Sequence, residues 1–365
     1  MKSRRLVIVL CLITFLDVSY TQELVTFEKP SVGFQAYYVS FLTMAPKAAY
    51  LRDSYSYLAE VNYQKPIKNI AATTGFKRLP KWGIGAFFGN TGSRQYMGNT
   101  AGVFPFISLP LYKTQKFAGA FRFGAGLGWV QKPYNQYNNH KNTLIGSSVN
   151  GYIHFLLQND WHLSPSFTLN AGLGFHHLSN GSTRLPNLGI NIPAVSAGMR
   201  YHLNAAKKIM DTILQANHSF NKKLSYTIYA SAGVKQAPWV ESDYFVVNVF
   251  AAEASKMFSA DNKYGGGVVL FYDRSLVLDP AGIPTVKREN NETQLGVYAS
   301  YEHSFGRLSI PLQLGAYVFN RESSSLFQNI GFKYKATEKL SAALYLKAHM
   351  GQANLIHVGI GYKVR

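Results

Sequence analysis

From residue 33 to residue 363 the chain alternates, segment after segment, between apolar residues and small or polar ones with a period of two. Successive side chains on a β-strand point to opposite faces, so each such run is a strand with one apolar and one polar face. Phe117, Gly119, Phe121, Phe123, Ala125, Leu127 and Trp129 oppose Ala118, Ala120, Arg122, Gly124, Gly126 and Gly128. Leu308, Ile310, Leu312, Leu314, Ala316 and Val318 oppose Ser309, Pro311, Gln313, Gly315 and Tyr317, and the run from Leu340 to Met350 sets Tyr345, Lys347 and His349 against an aliphatic face. About sixteen segments of this kind can be marked. With polar residues inside and apolar ones outside, closure into a barrel satisfies every backbone group in a bilayer. The pattern predicts an all-β fold, an antiparallel transmembrane β-barrel of the outer-membrane type with roughly 12–16 strands; a soluble secreted sandwich is the alternative.

The N-terminus supplies a route to a membrane. Lys2, Arg4 and Arg5 precede an apolar run from Leu6 to Leu16, and Ser19, Tyr20 and Thr21 form a small-x-small site before Gln22. That run is too short to span a bilayer, which takes about 20 apolar residues. Residues 1–21 are read as a signal peptide and residues 22–365 as a single β-barrel domain, with neither an internal repeat nor a domain boundary. The only cysteine, Cys11, lies in the signal, so the mature chain carries no thiol chemistry.

Composition agrees with a barrel: 24 Tyr, 24 Phe and 31 Gly accompany only 15% charged residues. The net charge is +19, and +17 once three basic residues and one acidic residue leave with the signal. The basic residues are dispersed and no nucleic-acid module is recognisable, so nucleic acid is excluded as a partner. Anionic lipid headgroups of an outer leaflet are the expected contact.

Connection lengths orient the barrel, since outer-membrane barrels have short periplasmic turns and longer outer loops. The turns at 164–166, 304–307 and 336–339 are short, and the stretches 132–147 and 278–293 are long. The strand over 167–180 then runs outward. Two segments depart from this rule, 67–80 and 204–223, the second read as an amphipathic periplasmic turn.

That outward strand carries catalytic residue types. Phe167, Leu169, Ala171, Leu173 and Phe175 make its apolar face, and the same parity places His177 and Ser179 there. After a turn containing Gly181, Ser182, Pro186 and Gly189, Asn191 shares a face with Pro193, Val195, Ala197, Met199 and Tyr201. A lipid-facing patch at the external end thus holds a serine, a histidine and an amide. Serine needs a neighbouring base, and that base needs a third group to fix its tautomer. The expected assignment is Ser179 as nucleophile, His177 as base and Asn191 orienting the imidazole. Asn180, Asn187 and the amides around Gly181 are candidates to stabilise an oxyanion. The alternative is a polar rim on a pore or structural barrel. His176 faces away from His177, so the pair makes no metal site, and His154 and His303 read as isolated lumen or rim residues; no metal site is expected.

His177-Leu178-Ser179-Asn180 followed by Pro186-Asn187-Leu188-Gly189 resembles the signature of the lipid A 3-O-deacylase family of outer-membrane barrels, also called acyloxyacyl hydrolases. The resemblance implies a serine esterase that removes an ester-linked acyl chain from lipid A in lipopolysaccharide, with no cofactor, in the bacterial outer membrane. It covers about 25 to 35 residues. The family's usual third member is glutamate, where this chain has Asn191. The same stretch is also similar to outer-membrane phospholipase A, whose triad is Ser, His and Asn. That alternative would bring a phospholipid substrate of the outer leaflet, a calcium requirement and a homodimer.

Overall fold

The computed structural model describes residues 29–39, 50–67, 80–113, 117–203, 223–237, 242–259, 261–277, 292–320, 324–350 and 352–364. The predicted signal peptide, most of 67–80 and 204–223, and nearly all of 278–293 lie outside these residues. Among the described residues, no helix is long and apolar enough to cross a membrane.

Among the described residues, sixteen antiparallel strands form, and they close into two barrels of eight. The first consists of β1 (Ser31–Val39), β2 (Ser56–Pro66), β3 (Lys81–Asn90), β4 (Asn99–Lys113), β5 (Phe117–Val130), β6 (Val149–His162), β7 (Phe167–Ser179) and β8 (Ile190–His202). The second consists of β9 (Ser225–Gln236), β10 (Tyr244–Met257), β11 (Asn262–Asp273), β12 (Thr293–Phe305), β13 (Leu308–Phe319), β14 (Leu326–Lys335), β15 (Leu340–His349) and β16 (Gln352–Lys363). β8 returns to β1, with Phe34 opposite Met199, and β16 returns to β9, with Val358 opposite Ala232. The expected strand type and number hold; the expectation of one closed sheet with no internal boundary is corrected. Alternation marks each strand but is silent on which strands pair, and the return of β8 to β1 divides the chain at 204–223.

The period of two maps onto each wall. β1 alternates buried Ser31, Gly33, Gln35, Tyr37 and Val39 with exposed Val32, Phe34, Ala36 and Tyr38. Polar residues therefore face the lumen and apolar ones the outside, the inverse of a water-soluble barrel. Eight strands enclose just enough room for side chains to fill the interior. In the first lumen Arg122 meets Glu60 at 2.6 Å, Tyr37 donates to Glu60 at 2.8 Å, and Tyr152 bonds His176 Nδ1 at 2.6 Å. His154, expected to be isolated, sits opposite His176 across β6 and β7 with ring centroids 4.7 Å apart. The second lumen holds Lys235–Asp273 at 2.6 Å, Lys263–Glu302 at 3.1 Å and a Lys333–Glu302 pair, with Lys347 lying 3.9 Å from the Phe271 ring centre. Burial of such charges is tolerated because each has a partner.

Apolar side chains of the two barrels meet on their outer faces. Ile107 on β4 and Phe305 on β12, both 8% exposed, cluster with Ile67, Leu109, Leu308 and Ile310. Farther up, Phe123 on β5 stacks on Phe332 of β14 at 5.7 Å. At the end reached by the odd-numbered strands, the β7–β8 loop meets β9 and β16.

Candidate functional site

β7 and β8 pair in register with Phe167 opposite Tyr201, Leu173 opposite Val195 and His177 opposite Asn191. Directly opposed residues in an antiparallel pair present their side chains on the same face about 5 Å apart. The strand pairing therefore delivers Asn191 to His177, and His177 Nδ1 lies 2.8 Å from Asn191 Oδ1. An amide oxygen accepts, so Nδ1 carries the proton and Nε2 is left with its lone pair.

Ser179 ends β7, two residues on and on the same outward side, where it pairs with Gly151 of β6. The residue is 8% exposed, and its hydroxyl receives two N–H groups, from the Asn187 side-chain amide at 2.9 Å and from the Gly181 backbone at 3.2 Å. Asn187 in turn accepts from the Asn180 backbone N–H at 3.1 Å. In this conformation the hydroxyl bonds Asn187 and Gly181 rather than the imidazole. The step of two along a strand is about 6.6 Å, a gap that rotation of the two side chains toward each other narrows.

Asn180, expected near the reacting oxygen, has its side chain turned the other way. Its amide donates to Ser147 Oγ at 2.8 Å, tying the β7–β8 loop to the β5–β6 loop, and to the Arg184 carbonyl of its own loop at 2.7 Å. Two glycines leave no room for a side chain. Gly189 has φ of +77°, and a Cβ there would lie 2.8 Å from His177 Cε1. Gly181 has φ of +63°, and a Cβ there would lie 2.4 Å from Ile356 Cγ1. Both conformations lie in the left-handed region that glycine adopts without a steric penalty.

The loop is braced from two sides. The long segment between β5 and β6 was expected as an outer loop; it folds inward, burying Leu144 and Ile145 against Leu178 and Ile190, and the Leu144 carbonyl accepts from Gly189 N–H at 3.0 Å. The other side is the second barrel. Gln236 Oε1 accepts from Leu185 N–H at 2.7 Å, and Ser182 Oγ donates to the Ala353 carbonyl at 2.8 Å. No sequence signal pointed to Gln236, Ala353 or Ile356, and Ser182 read only as a turn residue: Gln236 lies 51 residues from Leu185, and Ala353 lies 171 from Ser182.

The strand face leading to the site is apolar and open, with Leu173 64% and Val195 58% exposed, and Leu188 of the loop is 57% exposed. A hydroxyl, a base with a fixed tautomer and two converging donors, above a wall fit for acyl chains, are the parts an ester hydrolase acting on a lipid requires.

Two family models match the chain. Residues 57–200 match "Lipid A 3-O-deacylase (PagL)", and residues 224–365 match "Acyloxyacyl hydrolase, C-terminal domain". The first match falls within the first barrel from β2 to β8, and the second spans the second barrel. No curated protein matches the chain. Among solved structures, the siderophore receptor PirA from Pseudomonas aeruginosa aligns over 93% of this chain and 81% of its own, at 9% identity and a TM-score of 0.21. The toluene transporter TodX from Pseudomonas putida aligns over 92% and 89%, at 8% identity and 0.18, and the outer membrane protein Omp33 from Acinetobacter baumannii over 93% and 99%, at 8% and 0.18. Likenesses at these scores carry no functional information.

Proposed function

The chain belongs to the lipid A 3-O-deacylase (PagL) family and is an acyl-ester hydrolase of the bacterial outer membrane; from that premise we propose that Ser179, His177 and Asn191 are its catalytic triad. The observation that carries this reading is the 2.8 Å bond between His177 Nδ1 and Asn191 Oδ1 on directly opposed residues, with Ser179 two positions along the same face. It leaves Nε2 as the free base on the outward side of the strand.

The reaction follows from those groups. Lipid A lies with its acyl chains along the β7–β8 wall and its sugar at the level of the loop. Ser179 Oγ attacks the carbonyl carbon of the 3-O ester as its proton passes to His177 Nε2. The tetrahedral oxygen takes up negative charge beside the donors nearest Ser179 Oγ, the Gly181 N–H and the Asn187 amide. Collapse breaks the bond to the sugar oxygen, which takes the proton from the imidazolium and leaves as a hydroxyl. Water, deprotonated by the same Nε2, then cleaves the acyl-serine, releasing the fatty acid and restoring the serine. Asn191 holds the ring through both steps but brings no negative charge to the imidazolium. No metal or cofactor takes part in this sequence.

The test is mass spectrometry of lipids after incubating refolded protein with lipopolysaccharide or with phospholipid, with and without calcium, alongside Ser179→Ala and His177→Ala. A 3-hydroxy fatty acid released from lipopolysaccharide by the wild type, and absent with either variant, is the expected result. Full activity in either variant refutes the triad. Serine-dependent lysophospholipid that forms only with calcium transfers the site to the phospholipase reading, which the amide at position 191 favours.

A further inference from the structure

We propose that the second barrel is a positioning element of the active site, holding the Gly181–Leu185 loop so that the Gly181 N–H points at Ser179 Oγ. The proposal rests on the serine-hydrolase reading above, and the contacts that carry it reach the loop at Gly181, Ser182 and Leu185.

Gly181 is pressed against Ile356 of β16 so closely that a methyl group there would overlap the isoleucine. Ser182 makes two links: its hydroxyl donates to the Ala353 carbonyl at 2.8 Å, and its carbonyl accepts from Gln236 N–H at 3.4 Å. Leu185 N–H donates to Gln236 Oε1 at 2.7 Å. Gln236 is only 6% exposed, and its Nε2 is committed to the Ser242 carbonyl at 2.9 Å, so the amide cannot flip without losing a bond at each end.

These contacts matter because of what the loop carries. Gly181 supplies one of the two donors on the serine hydroxyl, and Asn187, two residues beyond Leu185, supplies the other. The first barrel contributes the hairpin and the β5–β6 loop, which grips Asn180 and Gly189 at the two ends. Between those ends, the described bonds from 182 and 185 to other strands run to the second barrel. Oxyanion donors act through exact placement, and small displacements cost large factors in rate. Gln236 is accordingly a positioning residue acting through Leu185 and Gly181.

The experiment compares Gln236→Leu, Gln236→Glu, Ser182→Ala and Ser179→Ala, with Val358→Ala on the exposed face of β16 as a control. Each is checked for heat-modifiable gel mobility and then assayed for kcat and KM on lipopolysaccharide micelles and for the rate of labelling by a fluorophosphonate probe. Gln236→Leu leaves the Leu185 N–H without an acceptor and is expected to lower kcat and the labelling rate about 5- to 100-fold, with KM changed less than about 2-fold. Gln236→Glu keeps the acceptor for Leu185 N–H but sets a second oxygen against the Ser242 carbonyl, so it is expected to recover only part of the loss. Ser182→Ala is expected to lower kcat about 3- to 10-fold, and it decides the matter alone should Gln236→Leu fail to fold. Gln236→Leu or, in that event, Ser182→Ala with wild-type kcat and labelling overturns the proposal. Labelling or hydrolysis that persists in Ser179→Ala overturns the serine reading instead.

Discussion

Replacing Asn191 separates the role of its oxygen from that of its bulk. Asn191→Leu keeps the branched shape, at a larger volume, and removes the acceptor 2.8 Å from His177 Nδ1. An N–H left without a partner away from water costs about 1–3 kcal/mol. The ring escapes that cost only by moving its proton to Nε2, which destroys the base. Either way the penalty falls on the reacting conformation, and at about 1.4 kcal/mol per factor of ten, kcat drops by about 5- to 150-fold. Substrate binding along Leu173 and Val195 is untouched, so KM stays near wild type. Asn191→Asp is the counterpart, isosteric and still accepting through Oδ1, with a negative charge added beside the imidazolium that forms during attack. Charge-assisted bonds are about twice as strong as neutral ones, so its kcat is expected at or above wild type. Both variants are read by release of 3-hydroxy fatty acid from lipopolysaccharide. The reasoning fails if Leu is as active as Asn, or if Asp falls to the level of Leu.

Two other predictions concern the frame. Gly189→Ala adds a methyl group 2.8 Å from His177 Cε1 at a φ of +77°; kcat is expected to fall at least 10-fold with barrel stability lowered by about 1 kcal/mol, and a variant with full kcat would show that the imidazole has slack. In the first lumen, Arg122→Ala strands the Glu60 carboxylate, which is fully buried and 2.6 Å from the guanidinium, at a cost of about 3–5 kcal/mol in urea unfolding from lipid vesicles. Arg122→Met with Glu60→Gln is expected to recover most of that loss, and equal stability of Arg122→Ala and wild type would refute the pairing.

Much of this molecule was legible in its sequence because a strand's two faces are written at alternate positions. His177, Ser179 and Asn191 could be placed on one outward side from parity alone, and the predicted His177–Asn191 contact depends only on the register of a single hairpin, which the apolar pattern fixes. The closure of the sheet was not legible: Met199 pairs with Phe34, 165 positions earlier, and nothing local distinguishes a strand that returns to β1 from one that goes on to β9. The side-chain partners of Asn180 were hidden for a related reason. Its neighbour Ser147 lies on a loop 33 residues away, and parity says nothing about side chains once the strand has ended. The Gln236 contact lay further out of reach still, since it exists only where two separately closed walls touch.

The touching of those walls also bears on the order of assembly. The hairpin that carries His177, Ser179 and Asn191 can form as soon as β7 and β8 pair, within one short stretch of chain. Its loop then waits for Ile356 and Ala353, which stand on the strand that seals the second barrel against β9. A chain halted with only the first barrel inserted would carry His177, Ser179 and Asn191 while its Gly181–Leu185 segment lacked the contacts from the second barrel. On the positioning role proposed for the second barrel, full hydrolytic power over membrane lipid is expected only once the last seam closes, and a half-inserted copy would be a weaker threat to the bilayer that is receiving it.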